Sequence, residues 1–277
     1  KIKKNSNSSI IIQGPILKKN NFTLNTINLY IKNCRSKIIL STWKNELTEN
    51  ETKDLKKRGV KIILNEPPIF AGPSNINFQL ISTSEALKNS IKNNDEFCIK
   101  TRTDCRIYLK KFDENLLRFY FFFKKKNRLL KLGSTSLTRE SRLFGISDIL
   151  MFGPPKEMLK YFPKSSSKKE FNYFNDFLKK IRSKNKKLLS DSYKCIPENF
   201  ICYNYIKKYI NKKIKYDKKN YYNCLKNNFL IIDNSTIDLF WYKYNHQFEY
   251  RDRNLSGKNL YSFFSYSKWL KIYLKND

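Results

Sequence analysis

The sequence predicts an α/β fold, a mostly parallel sheet flanked by helices, and three observations carry that expectation. Short β-branched runs alternate with helical periodicities through the first hundred residues. The intervals between the runs are those of helical crossovers, which implies parallel strands in a doubly wound sheet. One run, Glu96-Phe-Cys-Ile-Lys-Thr-Arg-Thr-Asp-Cys-Arg106, passes from an apolar strand straight into cations, hydroxyls and a carboxylate. Open α/β sheets place their ligands at the carboxyl ends of such strands. An Asp there can hold a divalent cation and a flanking Arg a phosphate oxygen, although an Asp after a strand is most often a turn residue or cap.

Taken in order, Ile10-Ile-Ile12 is a strand that ends in the turn Gln13-Gly-Pro15. Phe22, Leu24, Ile27 and Ile31 share one helical face across residues 21–31. Lys37 to Leu40 is a second strand, closed by Ser41-Thr-Trp43. A charged helix runs from about Leu47 to Arg58 and stops at Gly59, the usual residue after a last helical turn. Val60 to Leu64 is the third strand, and a Pro/Gly-rich loop from Glu66 to Pro73 follows it. Asn77 to Ile91 reads as a helix and Phe97 to Thr101 as the fourth strand.

The second half is less regular. Ile146 to Phe152 reads as a strand ended by Gly153-Pro-Pro155, and Glu157 to Phe162 as a short helix. The Lys/Ser-rich stretch 164–190 contains an amphipathic helix from Phe171 to Ile181. Pro197 opens a helix with Glu198 in its first turn, where acidic side chains favour the dipole. The last sixty residues are aromatic and basic, with a strand at Phe229 to Ile232 and a helix around Tyr266 to Leu274. No repeat recurs at a fixed period.

At 277 residues the chain is one large domain or two small ones, and its 40% hydrophobic and 15% aromatic content excludes a disordered class. Its net charge is +32, from 56 basic against 24 acidic residues. A lean towards Lys, Asn, Ile, Tyr and Phe, residues with AT-rich codons, accounts for much of this. The field still attracts nucleotide phosphates and anionic lipid head groups. Six scattered Cys without a Cys-x-x-Cys pair, and the single His246, argue against a zinc site and for reduced thiols in the cytosol. Tyr244, Asn245 and Phe248 beside His246 suggest an aromatic surface able to stack on sugar rings. No apolar run approaches a membrane span, and the five-aromatic run Phe119 to Phe123 is closed by Lys124-Lys-Lys126. No signal peptide is visible in the polar, basic start. Tyr and Lys interleave from Tyr203 to Tyr222 with no nucleic-acid signature, so no specific nucleic-acid partner is expected.

An ordered set of motifs resembles the WavE lipopolysaccharide synthesis family of bacterial glycosyltransferases. It comprises Ile12-Gln-Gly-Pro-Ile16, Asn25-Thr26 with Tyr30, Ser41-Thr-Trp43, Asn75-Ile-Asn-Phe-Gln79 and Ser82-Thr83. Lys100-Thr-Arg-Thr-Asp104, Ile146-Ser-Asp-Ile-Leu-Met-Phe-Gly153 and Pro197-Glu198 complete it. The resemblance covers about residues 8–210 and implies a GT-A-like, Rossmann-type fold. Residues 1–110 would be the nucleotide-sugar half. Residues 111–277 would be the acceptor half of the same domain, ending in an irregular helical and aromatic region.

The implied activity moves a sugar from a nucleotide-diphosphate or nucleotide-monophosphate donor to a growing lipopolysaccharide or capsule glycan. It implies a cytoplasmic enzyme, peripheral on the inner face of the inner membrane, with a glycan or lipid-linked glycan as acceptor. In such folds a carboxylate motif after the fourth strand usually holds Mn²⁺ or Mg²⁺, commonly through two Asp flanking one residue. Here Arg102-Thr103-Asp104 offers Asp104 alone as metal ligand, with Arg102 able to meet the diphosphate by direct charge.

The donor side further comprises Gln13, Gly14, Pro15, Thr42, Trp43, Asn77, Gln79 and Thr103. Gly14 permits close backbone approach. Trp43 either stacks on the base or packs in the core, and Asn77 either binds the donor or caps its helix. Arg106 reads as a solvated neighbour. Asp148, at the head of an apolar run, and Glu198, at a helix start, compete as general base. Two other classes stay open: a basic module that binds polyanions without catalysis, and a nucleotidyltransferase.

Overall fold

The computed structural model describes residues 7–138, 140, 142–184, 194–244 and 263–275. His246, Asn245 and Phe248 lie outside the described residues. Four strands, β1 (Ser8–Gln13), β2 (Lys37–Trp43), β3 (Lys61–Asn65) and β4 (Phe97–Arg102), pair in parallel in the order β3-β2-β1-β4. All six residues of β1 are buried, as expected of a strand covered on both faces. The sheet continues across the 110/111 boundary through β7 (Met151–Gly153), β6 (Leu132–Thr135) and β8 (Phe229–Ile232). β7 runs antiparallel to both β4 and β6, whereas β8 is parallel to β6. The result is the expected α/β class, a seven-stranded, mostly parallel sheet flanked by helices.

Helices α1 (Phe22–Asn33), α2 (Glu49–Lys57) and α3 (Ile76–Lys92) form the crossovers. A capping box opens α2, in which the Thr48 hydroxyl accepts from Glu51 N and the Glu51 carboxylate accepts from Thr48 N. Gly59, at φ +83°, turns the chain out of α2. α3 lies close on the sheet because its buried face carries Ser82, Ser84, Ala86 and Ser90. The Ser9 and Ser90 hydroxyls meet at 2.8 Å, and the Ser41 hydroxyl donates to the Ser82 carbonyl at 2.7 Å. Small hydroxyls thus satisfy each other where large apolar residues would hold the layers apart.

Three departures from the sequence reading have physical causes. The strand expected over 146–152 shrinks to Met151–Gly153. Side chains have taken the backbone groups ahead of it: Ser147 N donates to Thr138 Oγ1 at 3.0 Å and Ser147 O accepts from Ser134 Oγ at 2.6 Å. The aromatic run lies in a helix, α4 (Phe112–Lys126), which buries Leu116, Tyr120 and Phe123 but exposes Phe121 and Phe122. Apolar residues all round hid its period. A further helix, α8 (Lys218–Asn228), starts at Asp217, whose carboxylate accepts from Asn220 N at 2.8 Å.

The other second-half helices are α5 (Pro155–Tyr161), α6 (Lys168–Lys184), α7 (Pro197–Tyr209) and α9 (Tyr266–Leu274). A small ribbon pairs β5 (Cys105–Ile107) with β9 (Leu239–Trp241), antiparallel. The six Cys are free thiols, and all but the half-buried Cys195 are buried.

Gly133 of β6 faces Phe152 of β7, where a Cβ would stand 2.0 Å from the ring. A Gly133→Ala substitution should therefore cost about 1–3 kcal/mol through forced displacement of Phe152. A lowered melting temperature by circular dichroism checks this, and an unchanged one contradicts it.

Candidate functional site at the carboxyl edge of the sheet

The turn after β1 and the turn after β4 lie side by side. Gly14 adopts φ +123° and donates its N–H to Ser41 O at 3.1 Å, while Thr103 N donates to Gln13 O at 3.0 Å. A Cβ on Gly14 would meet the Thr103 hydroxyl at 2.8 Å, so only glycine lets these turns touch. Gln13 is buried and accepts from the Ser82 hydroxyl at 2.8 Å; Pro15 is exposed at the rim.

Arg102 and Asp104 form a bidentate pair, Nε to Oδ1 at 2.8 Å and Nη2 to Oδ2 at 2.9 Å. The Trp241 indole N–H also donates to Asp104 Oδ2 at 3.1 Å, and Tyr242 N donates to the Asp104 carbonyl at 2.9 Å. Burial alone would raise the Asp104 pKa, but the Arg102 hydrogen bonds and charge, with the Trp241 N–H, bring it below its ordinary value. Burial opposes the Arg102 charge in the same way, and the Asp104 carboxylate outweighs it, holding the guanidinium protonated. Two of the five guanidinium N–H groups are thereby fixed, and the fork sits 5.6 Å from the Trp241 ring centroid. With its side chain 32% exposed, Arg102 can still reach an anion.

Polar residues of α1 support this turn. The Thr23 hydroxyl donates to Thr103 O at 2.9 Å, and the Tyr30 hydroxyl accepts from Ile107 N at 2.9 Å. Arg106 is structural rather than solvated: it donates to Thr26 Oγ1 at 2.9 Å and Phe22 O at 3.0 Å, and it stacks over the Phe22 ring. Thr23, Tyr30 and Trp241 escaped a functional reading because each works on a turn remote in sequence. Tyr30 had its signal in the family motif, but Trp241 lay in a tail without one.

Other candidates are more deeply set. Thr42 is fully buried, and its hydroxyl has no partner among the described residues. Trp43 is 6% exposed and packs edge-to-face on Phe78. Asn77 is not the cap of α3. Its amide donates to Phe70 O and Ser166 O, and its oxygen accepts from Ser166 N and Oγ, which stitches the 163–167 loop to α3. The Gln79 Nε2 is buried without a partner among the described residues.

Below Arg102, Lys100 is completely buried. Its ammonium donates to the Asp148 carbonyl and lies 5.2 Å from the Phe162 ring centroid. Burial depresses its pKa to about 8, with partial relief from Asp148. Asp148 is itself 6% exposed, whereas Glu198 is half-buried at the start of α7. Burial, then Cys202, and after them the more distant charges of Asp148 and Glu198, raise the pKa of the buried Tyr161 hydroxyl. A cavity of about 680 Å³ leads away from Tyr161 between α5, α6 and α7, lined by Tyr173, Phe177, Tyr203 and Tyr209 among others.

The metal question turns on Asp104. Both of its oxygens already accept hydrogen bonds, and among the described residues no three His, Cys, Asp or Glu are placed to hold a metal ion. The residues present therefore do not form a protein cage for Mn²⁺ or Mg²⁺. No described helix is long and apolar enough to cross a membrane.

A model of WavE lipopolysaccharide synthesis matches residues 8–276, almost the whole chain. The chain belongs to the WavE lipopolysaccharide synthesis family. Membership extends the resemblance beyond residue 210 and links the protein to polysaccharide synthesis. No curated protein matches this WavE sequence. Among solved structures, one similar chain is a cytidylyltransferase from Leptospira borgpetersenii serovar Hardjo-bovis (strain JB197). It shows 11% identity and TM-score 0.39, over 93% of this chain and 100% of that one. Another is HddC from Yersinia pseudotuberculosis, with 13% identity and TM-score 0.36 over 58% of this chain and 82% of that one. Superpositions this loose carry no assignment of activity for the WavE protein.

The sign of the Lys100 shift sets a pH test. In the unfolded chain Lys100 binds its proton up to about pH 10.5, and in the folded protein only to about pH 8. Between these values the unfolded state holds more protons, so stability should rise with pH. The rise from this residue is on the order of 3 kcal/mol across the window. Urea melts of wild type and Lys100→Met at pH 7 to 10.5 should differ by this trend; parallel pH profiles would refute it.

Proposed function

We propose that this WavE protein is a glycosyltransferase that moves a sugar from a nucleotide-activated donor to a growing surface glycan. The observation that carries this reading is the meeting of the Gly14 turn, Thr103 and the Arg102–Asp104 fork at one carboxyl edge of the sheet. Gly14 lets the turns after β1 and β4 close on each other, and the part-exposed Arg102 beside them neutralises the charge that develops on the leaving phosphate of the donor. Asp104 and Trp241 hold the guanidinium in place, so its orientation is set before the donor arrives. The sugar end then lies towards Tyr161, Asp148 and Glu198.

Of the two carboxylates Glu198 suits the base, because it reaches the surface where an acceptor hydroxyl arrives, whereas Asp148 is enclosed with Lys100. The aromatic cavity beyond Tyr161 offers ring faces to the acceptor glycan. The enzyme works on the cytoplasmic side, where nucleotide donors are available.

Asp104→Ala and Arg102→Ala should each abolish transfer while the circular dichroism spectrum stays native. Wild-type turnover by either variant removes the site assignment. A thermal-shift panel of nucleotide sugars should raise the melting temperature with EDTA present, and Arg102→Ala should lose that shift. A shift that requires Mn²⁺ or Mg²⁺ overturns the metal-free role of Arg102. Glu198→Gln should lose at least a hundredfold in kcat with donor affinity kept, and Asp148→Asn should lose less. The reverse order would exchange their roles. Pyrophosphate release from a nucleoside triphosphate, without sugar transfer, would replace this reading with nucleotidyl transfer.

A further inference from the structure

The aromatic run of α4 plays no part in the site, and the end of that helix sets exposed apolar side chains among cations. Phe122 is 53% exposed, Leu129 57% and Phe121 42%. Exposed Lys125, Lys126 and Arg128 surround them, and the Lys126 ammonium stands 4.4 Å from the Phe122 ring centroid. No Asp or Glu occurs from Asn115 to Lys131. None of Lys125, Lys126 and Arg128 forms an ion pair among the described residues.

The tip is held rigid rather than left loose. Lys124 donates to the carbonyls of Arg128 at 2.5 Å and Leu130 at 2.6 Å. The Asn127 oxygen accepts from Leu129 N at 2.9 Å, while its amide donates to Asn227 O at 3.1 Å. Lys226 extends the same end to α9, donating to Lys275 O at 2.6 Å beside Leu274, which is 65% exposed. Such bonds hold apolar side chains out in water, an arrangement that burial elsewhere would make favourable.

We propose that this end of the molecule, centred on Phe122 and Leu129, docks on an anionic phospholipid surface. The apolar tip enters the boundary between head groups and acyl chains, and the ring of Lys and Arg meets lipid phosphates. A mixed apolar and cationic tip fits a bilayer better than a nucleic acid, which would need cations along a groove and rings able to stack on bases. The tip precedes β6 and so lies at the amino edge of the sheet, opposite Arg102 and Asp104. Six residues of β4 separate the two edges by about 20 Å. Resting on the glycosyl-transfer reading, this spacing assigns an acceptor whose reactive end already stands well clear of its lipid anchor.

The test is co-sedimentation of the full chain with phosphatidylcholine vesicles, with and without phosphatidylglycerol. The protein should partition onto the anionic vesicles. Phe122→Ser with Leu129→Ser should weaken that partition roughly tenfold or more, since both side chains are exposed and the fold should melt unchanged. Lys125→Gln with Lys126→Gln should weaken it more than Lys56→Gln with Lys57→Gln, the control pair on α2. Three results overturn the proposal: tip variants that bind as wild type, a control pair that loses as much as the tip pair, or a protein that ignores vesicles and binds RNA. Transfer to a water-soluble acceptor should be unaffected in the tip variants. Loss of vesicle binding with transfer intact, or transfer absent with vesicle binding intact, separates this proposal from the catalytic one.

Discussion

The structure depends on the position of β4. On one side it pairs in parallel with β1, over six residues from Ser8↔Phe97 to Gln13↔Arg102. On the other it pairs antiparallel with β7, from Cys98↔Gly153 to Lys100↔Met151. At this strand the sheet passes from parallel to antiparallel pairing, and the two halves of the chain meet there. Arg102 and Asp104 sit where β4 leaves the sheet, so register on both sides fixes their height relative to Gly14 and to Asp148. A one-residue slip would turn Arg102 to the opposite face and carry the Arg102–Asp104 pair away from its place beside Gly14.

Charge in the interior follows the same logic. Lys100 and Arg102 point to one face of β4, and each cation is balanced differently. Arg102 has a carboxylate fork, Trp241 and access to water. Lys100 has a carbonyl, an aromatic ring and no exposure to solvent. The guanidinium stays protonated at any working pH, whereas the ammonium lies near its titration point. Removing Asp104 would strand a half-buried cation, so the pair matters more for what each partner prevents than for the attraction itself.

The first four strands and three crossovers were legible in the sequence because local signals there agree: β-branched runs, helical periodicities and Gly59 after α2. The motif at Arg102 to Asp104 was legible for the same reason. What was hidden depended on partners far along the chain. Nothing near Gly133 announces that Phe152 will lie across it. Nothing near Asp104 announces Trp241, 137 residues away. α4 was hidden for the opposite reason, since Phe119 to Phe123 present apolar groups on every side and leave no period to read.

Lys100 also bears on how the chain is made. β4 is complete at Arg102, but its antiparallel neighbour begins only at Met151. During synthesis at roughly 5–20 residues per second, that flank of the nascent sheet stays open for several seconds. An open flank of Phe, Cys and Ile would invite a neighbouring chain to pair with it, and a charge pointing inward from an exposed strand discourages such pairing. The ammonium that is costly to bury in the finished protein thus guards the half-built one, until the segment carrying Asp148 arrives to cover it.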